Sequence, residues 1–222
     1  MTISELTKRL VDFYGRPKKS KLRDPFEMLL WEMSAELAPE EKRAAAFDAL
    51  KKSIGAKPQQ ILDAPPMKLL EVARLGGMVP EQRARHMMQA AAVAMQLHDG
   101  DLRPILKLPL KDAKKALRKF PSVGEGLAEK ILLMTRSYPL LPLESNGLRV
   151  LQRLGFAPAL NDYAASYRVM QEAIAPQLPA DYDTLIAAHN LLRQHGRELC
   201  KTARPLCRQC PLERDCPAAL AS

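Results

Sequence analysis

All four cysteines of this 222-residue chain lie close together near its C-terminal end. Cys200, Cys207, Cys210 and Cys216 are separated by six, two and five residues, and the stretch that contains them is otherwise basic. Four thiolates this close in sequence can surround one metal centre, either as a tetrahedral site or as the corners of an iron-sulfur cube. The sequence therefore predicts a C-terminal segment that folds around a metal.

Three chemistries are open to these cysteines. Disulfides require an oxidising compartment, and the segment from Met1 to Leu10 has no apolar run of the kind that a signal peptide requires. Structural zinc is the serious alternative, because Cys207 and Cys210 have the two-residue spacing of a zinc knuckle. The outer cysteines stand alone rather than as a second pair, which favours a [4Fe-4S] cluster over zinc.

The net charge favours a polyanionic partner. Lys and Arg number 34 against 25 Asp and Glu, a formal net charge of +9. Nucleic acid is the first candidate for a basic protein of this kind, and a merely basic protein is the alternative. No apolar run is long enough to span a bilayer, so we expect a protein that is not integral to a membrane. We further expect it to be cytoplasmic, of bacterial type and nucleoid-associated, and monomeric.

Apolar residues recur at three- and four-residue spacing along almost the whole chain, which predicts helices. No segment alternates as a strand does, and prolines stand at several predicted helix starts. The sequence therefore predicts an all-α protein of nine or ten short helices. The periodic segments are Pro25–Leu37, Glu41–Ile54, Pro66–Leu75, Pro80–Leu97, Lys111–Phe120, Gly126–Ser137, Ser145–Leu154, Asp162–Ile174 and Tyr182–Leu199.

The segment from Lys111 to Ser137 predicts two helices joined by a tight, glycine-containing turn. We expect Gly124 and Gly126 to ease the steric limits of that turn and to leave backbone N–H groups exposed, with Ser122 and Val123 beside them. A phosphate can bind at such a place, because a helix N-terminus carries partial positive charge. The alternative is an ordinary helix-turn-helix joint whose glycines serve geometry alone.

The same segment resembles a known family. Residues Leu117 to Leu132, with Pro121, Val123 and Gly124 among them, are similar to the helix-hairpin-helix of the endonuclease III family of DNA glycosylases. The cysteine spacing is similar to the [4Fe-4S] motif of that family, as are His195-Gly196-Arg197 and Pro25-Phe26-Glu27. The resemblance covers essentially the whole chain.

The resemblance implies a two-lobed, all-α fold. A six-helix barrel domain would comprise residues 24–137, with the hairpin at about 111–137, and residues 1–23 with 138–222 would form the iron-sulfur domain around a cluster loop at 200–216. It also implies a [4Fe-4S] cofactor and a base-excision-repair enzyme. Such an enzyme flips a base out of double-stranded DNA that carries a damaged, mismatched or abasic nucleotide, and it hydrolyses the N-glycosidic bond.

The chain departs from the family pattern at the hairpin lysine, the nucleophile of the members that also cleave the strand. The matching residue is Gly126, which has no nucleophile. The resemblance therefore implies a monofunctional glycosylase with weak or absent AP lyase activity. Lys130 lies one helical turn further on and is the candidate for a displaced nucleophile.

Two carboxylates match catalytic positions of the family. Glu144 stands where the family has an aspartate, and a carboxylate there would stabilise the cationic sugar in the transition state. The alternative is that Glu144 only caps the next helix. Glu32 matches the general acid of the adenine-specific mismatch glycosylases, and its alternatives are an exposed position or a salt bridge to an arginine.

The resemblance also implies DNA contacts. Leu37 matches the side chain that fills the space left by a flipped base. The expected phosphate contacts are Arg149, Lys201, Arg204 and Arg208. Because two family residues have changed, a catalytically impaired protein that binds damaged or abasic DNA is the alternative function.

Overall fold

The computed structural model describes residues 1–18, 22–35 and 40–220. The chain divides into two compact units, which we call the terminal unit (Met1–Ser20 with Tyr138–Ser222) and the middle unit (Lys21–Ser137). The described residues contain helices and no strand. The prediction of an all-α protein is therefore confirmed.

The α-helices are short and follow one another closely. In chain order they are α1 (Ile3–Tyr14), α2 (Pro25–Ser34), α3 (Glu40–Ser53), α4 (Pro58–Leu62), α5 (Pro66–Leu75), α6 (Pro80–His98), α7 (Leu110–Leu117), α8 (Glu125–Met134), α9 (Ser145–Arg153), α10 (Tyr163–Ile174), α11 (Tyr182–Glu198) and α12 (Pro217–Leu220). Short 3₁₀ turns lie at Arg103–Lys107, Ala175–Gln177, Cys207–Gln209 and Glu213–Asp215.

All nine predicted segments are helical, but the sequence reasoning missed α1, α4 and α12. Helix α1 carries a capping box, in which the Thr2 side chain accepts from the Glu5 N–H and the Glu5 carboxylate accepts from the Thr2 N–H. This pairing satisfies two N–H groups that would otherwise lack partners at the helix start. The Thr2-x-x-Glu5 pattern is therefore the signal that the sequence offered for α1.

The middle unit packs around α6. Ala90, Ala91 and Ala94 on this helix are fully buried. Their small side chains let α4 and α5 lie close to α6, which also contacts α2. The hairpin helices α7 and α8 complete this unit, with Leu117 and Ile131 fully buried.

The loop after α5 is pressed against the end of α2. A Cβ built on Gly76 would lie 1.8 Å from the Ser34 carbonyl oxygen, so only glycine fits there. Val79, at the end of this loop, has a left-handed φ of 46°, which is costly for a β-branched residue. The buried Arg83 stabilises the loop by donating to the Gly77 carbonyl over 2.8 Å.

The terminal unit is built around α11, which packs on α1 and on α9. Gly196 near the end of α11 lies against the start of α9. A Cβ at this position would be 2.7 Å from both the Cβ and the carbonyl oxygen of Asn146. The close approach of the two helices thus depends on the missing side chain of Gly196.

Candidate functional site

In the hairpin turn between α7 and α8, the strained conformation is taken by a different residue from the ones predicted. Ser122, rather than a glycine, has the left-handed φ of 61°. Gly124 is the extended N-cap of α8, and Gly126 lies in the first turn of that helix. The expectation that the glycines relieve the turn is therefore wrong, and their role must be sought in what approaches them.

The N-terminus of α8 is open to a ligand. Gly124 supplies no side-chain cap, and a Cβ built on it would meet nothing within 4 Å. The first N–H groups of a helix have no intrahelical acceptor, so an uncapped start presents donors and partial positive charge. Val123 beside it is buried and fixes the turn to the core, while Ser122 shares a 2.8 Å hydrogen bond with His86.

An acidic residue stands at this same helix start and is neutralised from α7. Glu125 forms ion pairs with Lys114 and with Arg118, the latter at 3.2 Å. Lys114 also contacts the buried Glu129 at 2.9 Å. Burial acts to lower the pKa of Lys114, but its hydrogen bonds to the two carboxylates raise the pKa above its usual value. The positive charges of Lys114 and Arg118 therefore balance the negative charge of Glu125.

Glu32 and Lys130, two of the predicted catalytic residues, form an ion pair in the middle unit. Lys130 Nζ lies 2.6 Å from Glu32 Oε1, and Arg43 Nη1 lies 3.2 Å from Glu32 Oε2. The Glu32 and Lys130 side chains are 14% and 16% exposed, so water screens the pair weakly. The salt bridge to an arginine, one of the sequence-based alternatives for Glu32, is present in the structure.

Glu144 caps α9 in the terminal unit. Its Oε1 accepts from the N–H groups of Asn146 and Gly147 at 3.1 and 3.2 Å, and its Oε2 accepts from Asn146 Nδ2 at 3.0 Å. The carboxylate is half-buried. Burial and then the negative charge of Glu144 raise the pKa of Tyr163. The capping contact considered from the sequence is thus present, and it holds the carboxylate in one orientation.

The predicted basic contacts of the terminal unit fall into two groups. Arg149 donates to the carbonyls of Cys200 and Gly196 at 3.0 and 2.8 Å, so its guanidinium binds the protein itself. Lys201, Arg204 and Arg208 are exposed on the cysteine segment. Leu37, the predicted wedge residue, lies outside the described residues.

The four cysteines are free and line one cavity of about 200 Å³ in the terminal unit. Two side chains donate toward the sulfurs or lie against them. Arg153 Nη1 lies 3.3 Å from the Sγ of Cys200, and His195 Nε2 lies 3.5 Å from the Sγ of Cys210. Burial raises the pKa of the Cys210 thiol to about 11 and lowers the pKa of His195 to about 4. The Cys210 sulfur therefore needs a metal or a cation nearby to become a thiolate.

Sequence reasoning missed three side chains at these places. Arg153 holds the cysteine segment through the carbonyls of Cys200, Lys201 and Thr202 as well as through sulfur. Tyr14 contacts His195 from α1. Met78, next to the strained Val79, is 68% exposed although it is apolar. Of these three residues, only Met78 could have been singled out from its neighbours in the sequence, because the Gly76-Gly77 pair stands just before it.

Helices α7 and α8 form a helix-hairpin-helix in the middle unit, and four cysteines line one cavity in the terminal unit. No family model matches the chain. Endonuclease III of Thermotoga maritima is 25% identical over 214 residues, which are 96% of this chain and 92% of the relative. Thymine-DNA glycosylase of Aeropyrum pernix is 25% identical over 138 residues, 62% of this chain and 58% of the relative.

Solved structures share the fold. A trapped endonuclease III–DNA covalent intermediate superposes with a TM-score of 0.76 at 20% identity, covering 100% of this chain and 98% of that one. A thermostable thymine-DNA glycosylase gives a TM-score of 0.78 at 15% identity, covering 99% and 97%. The chain is endonuclease III-like, and the resemblance inferred from its hairpin and cysteines is confirmed.

Within residues 1–18, 22–35 and 40–220, no helix has both the length and the apolar character required to cross a membrane.

Proposed function

We propose that this protein is a base-excision-repair DNA glycosylase that removes a damaged or mismatched base by hydrolysis and leaves an abasic site. The observation that carries the proposal is the likeness to endonuclease III along nearly the whole chain, which includes the hairpin and the cysteine segment. The relatives named endonuclease III and thymine-DNA glycosylase support the reaction class. The chain's own side chains supply the roles described below.

DNA binding is assigned to the open start of α8 and to the exposed cations of the cysteine segment. A phosphate at Gly124 would accept from the free N–H groups of the first turn. Lys201, Arg204 and Arg208 would add charge contacts that weaken as salt rises. The exposed Met78, held on a strained loop, is suited to enter the base stack when a nucleotide is flipped out.

Glu144 is assigned the stabilisation of the transition state. Cleavage of the N-glycosidic bond develops positive charge on the sugar, and a fixed carboxylate lowers the energy of that charge. The three hydrogen bonds from Asn146 and Gly147 orient the group before substrate arrives. Water then attacks the sugar carbon, and the base leaves with a proton.

Strand cleavage by a lysine Schiff base is not expected to be efficient. Gly126 offers no nucleophile, and the Lys130 ammonium is held 2.6 Å from Glu32. A lysine nucleophile must present its nitrogen to the sugar carbon, and the Lys130 nitrogen is already bound to Glu32. Both oxygens of Glu32 are engaged, one by Lys130 and one by Arg43, so Glu32 is better placed to bind Lys130 than to contact a base.

A [4Fe-4S] cluster is assigned to Cys200, Cys207, Cys210 and Cys216. The four free thiols line one cavity, and in the sequence Cys207 and Cys210 form one close pair while Cys200 and Cys216 stand alone. This spacing of the four cysteines in the sequence fits an iron-sulfur cluster better than a single zinc ion. When bound, the cluster would hold the basic segment in place and supply four fixed thiolate bonds.

A single-turnover assay with and without hot alkali tests the proposal. End-labelled duplexes that carry a panel of damaged or mismatched bases, and one abasic site, are incubated with the protein and divided into halves. We expect strand breaks only after alkali, which marks base removal without lyase chemistry. Sequencing-gel positions of the breaks identify the accepted base.

Two other outcomes of the assay change the assignment. Breaks without alkali would establish a lyase, and Lys130→Met would then show whether Lys130 is its nucleophile. Binding to the abasic duplex with no breaks on any substrate would contradict the proposed enzyme and establish the recognition protein instead. Both oxygens of Glu144 are already engaged, Oε1 as the cap of α9 and Oε2 by Asn146 Nδ2, and this feature favours the second function.

We expect Glu125→Gln to strengthen DNA binding. The substitution removes a negative charge beside the proposed phosphate site and frees Lys114 and Arg118 from it. Affinity measured by fluorescence anisotropy should rise, and the plot of log K against log salt should steepen by about one unit. Glu27→Gln is the matched control, because Glu27 also pairs with a lysine, Lys51, but lies outside the hairpin. Equal changes in both variants would argue against a phosphate at α8.

A further inference from the structure

Tyr14, His195 and Cys210 form a hydrogen-bonded chain that the proposed glycosylase chemistry does not use. The Tyr14 hydroxyl lies 3.0 Å from His195 Nδ1, and His195 Nε2 lies 3.5 Å from the Sγ of Cys210. His195 is buried, and the Tyr14 ring packs edge-on against the imidazole. One residue of α1 is therefore connected through α11 to one of the four cysteines.

Metal binding fixes the direction of this chain. A thiolate that binds a metal has no proton to donate, so Nε2 of His195 must carry the N–H that points at sulfur. A neutral imidazole then has a lone pair on Nδ1, which can only accept. The Tyr14 hydroxyl must therefore donate to Nδ1, and all hydrogen bonds run from Tyr14 toward Cys210.

We infer that Tyr14 and His195 are positioning residues that select the imidazole tautomer, donate a hydrogen bond to the Cys210 thiolate and set the reduction potential and stability of the proposed cluster. Hydrogen bonds to ligand sulfurs withdraw negative charge and stabilise the reduced state of an iron-sulfur centre. Cys210 also accepts from the Leu212 N–H at 3.4 Å. Cys210 thus receives two donors, while Cys200 receives the Arg153 guanidinium.

A second contact ties α1 to the cysteine segment. Arg9 forms an ion pair with Asp215, the residue before Cys216. Arg9 and Tyr14 therefore connect one helix to both ends of the last cysteine pair, Cys210 and Cys216. The exposed Arg9 pair is worth little by itself, so the buried Tyr14–His195 contact is the one that should matter for the cluster.

The inference rests on the proposed cluster, and its test separates the two. Wild-type protein is purified anaerobically, its iron and sulfide are counted, and its visible absorption is recorded. Protein without iron would overturn the cluster and this inference, whatever its glycosylase activity. With iron present, Tyr14→Phe, His195→Leu and the double variant are compared by electrochemistry on the holoprotein and by the rate of iron loss to a chelator.

We expect iron loss to be roughly tenfold faster in His195→Leu and the midpoint potential to become more negative. Tyr14→Phe should shift both quantities in the same direction by less, because the ring and its packing stay. The double variant should equal His195→Leu, since Tyr14 acts only through the imidazole. Tyr182→Phe at the other end of α11 is the matched control and should not differ from wild type.

Three results would overturn the inference while leaving the cluster in place. The first is a Tyr14→Phe protein with wild-type potential and wild-type iron loss. The second is additive effects in the double variant. The third is an equal shift in Tyr182→Phe. If His195→Leu fails to fold, the comparison of Tyr14→Phe with Tyr182→Phe decides the matter alone.

Discussion

Glu144→Gln is expected to lower the single-turnover rate of base excision by about 10²- to 10³-fold while leaving the affinity for duplex DNA unchanged. Glutamine keeps an oxygen that can accept from the Asn146 and Gly147 N–H groups, so the cap on α9 should persist. It loses the negative charge that stabilises the cationic sugar. The measurement is the excision rate on the substrate identified by the alkali assay, beside an anisotropy titration.

The control must separate catalysis from capping, and the chain offers a matched residue. Asp162 caps α10 in the same unit by accepting from the Ala165 N–H at 2.7 Å. Asp162→Asn should cost a similar small amount of stability and leave the excision rate near wild type. If Glu144→Gln also keeps the wild-type rate, Glu144 is only a cap, and another group must stabilise the transition state.

Gly196→Ala should destabilise the terminal unit by about 3 kcal/mol. Alanine normally favours a helix over glycine by about 1 kcal/mol, so an uncrowded site would gain stability. Here the new methyl would lie 2.7 Å from the Asn146 Cβ and carbonyl oxygen and 2.9 Å from its carbonyl carbon. Backbone atoms of a neighbouring helix cannot move aside as a flexible side chain can, so α9 and α11 must separate.

Urea denaturation followed by circular dichroism measures this change, and the excision rate should fall with it because Asn146 orients Glu144. Gly124→Ala is the control, since a Cβ there would meet nothing within 4 Å. It should leave the free energy of unfolding nearly unchanged while weakening DNA binding. A Gly196→Ala protein more stable than wild type would contradict the close contact of the two helices.

Local patterns in the sequence predicted much of the fold. Apolar periodicity found nine helices, because each buries one face against its unit. It missed α4, whose five residues are too few for a period to be visible. It also placed the strain of the hairpin on the glycines, whereas Ser122 takes the left-handed conformation and leaves the Gly124 surface free.

The site was predicted less completely, because its decisive contacts join residues that are distant in sequence. The cysteines were found from their spacing, but Arg153 reaches Cys200 from 47 residues earlier. The Tyr14–His195 contact joins positions 181 residues apart. Likewise, nothing in the sequence near Lys130 indicates its ion pair with Glu32 across 98 residues.

The division of the chain between its units also sets an order of events during synthesis. All of the middle unit, residues 21–137, is translated before the helices α9 and α11. Helix α1 is translated before the middle unit, but its packing partner α11 is translated after that unit. Until then, the apolar face of α1, with Ile3, Leu6 and Leu10, is uncovered. During synthesis, α1 thus stays without its packing partner until α11 has been translated.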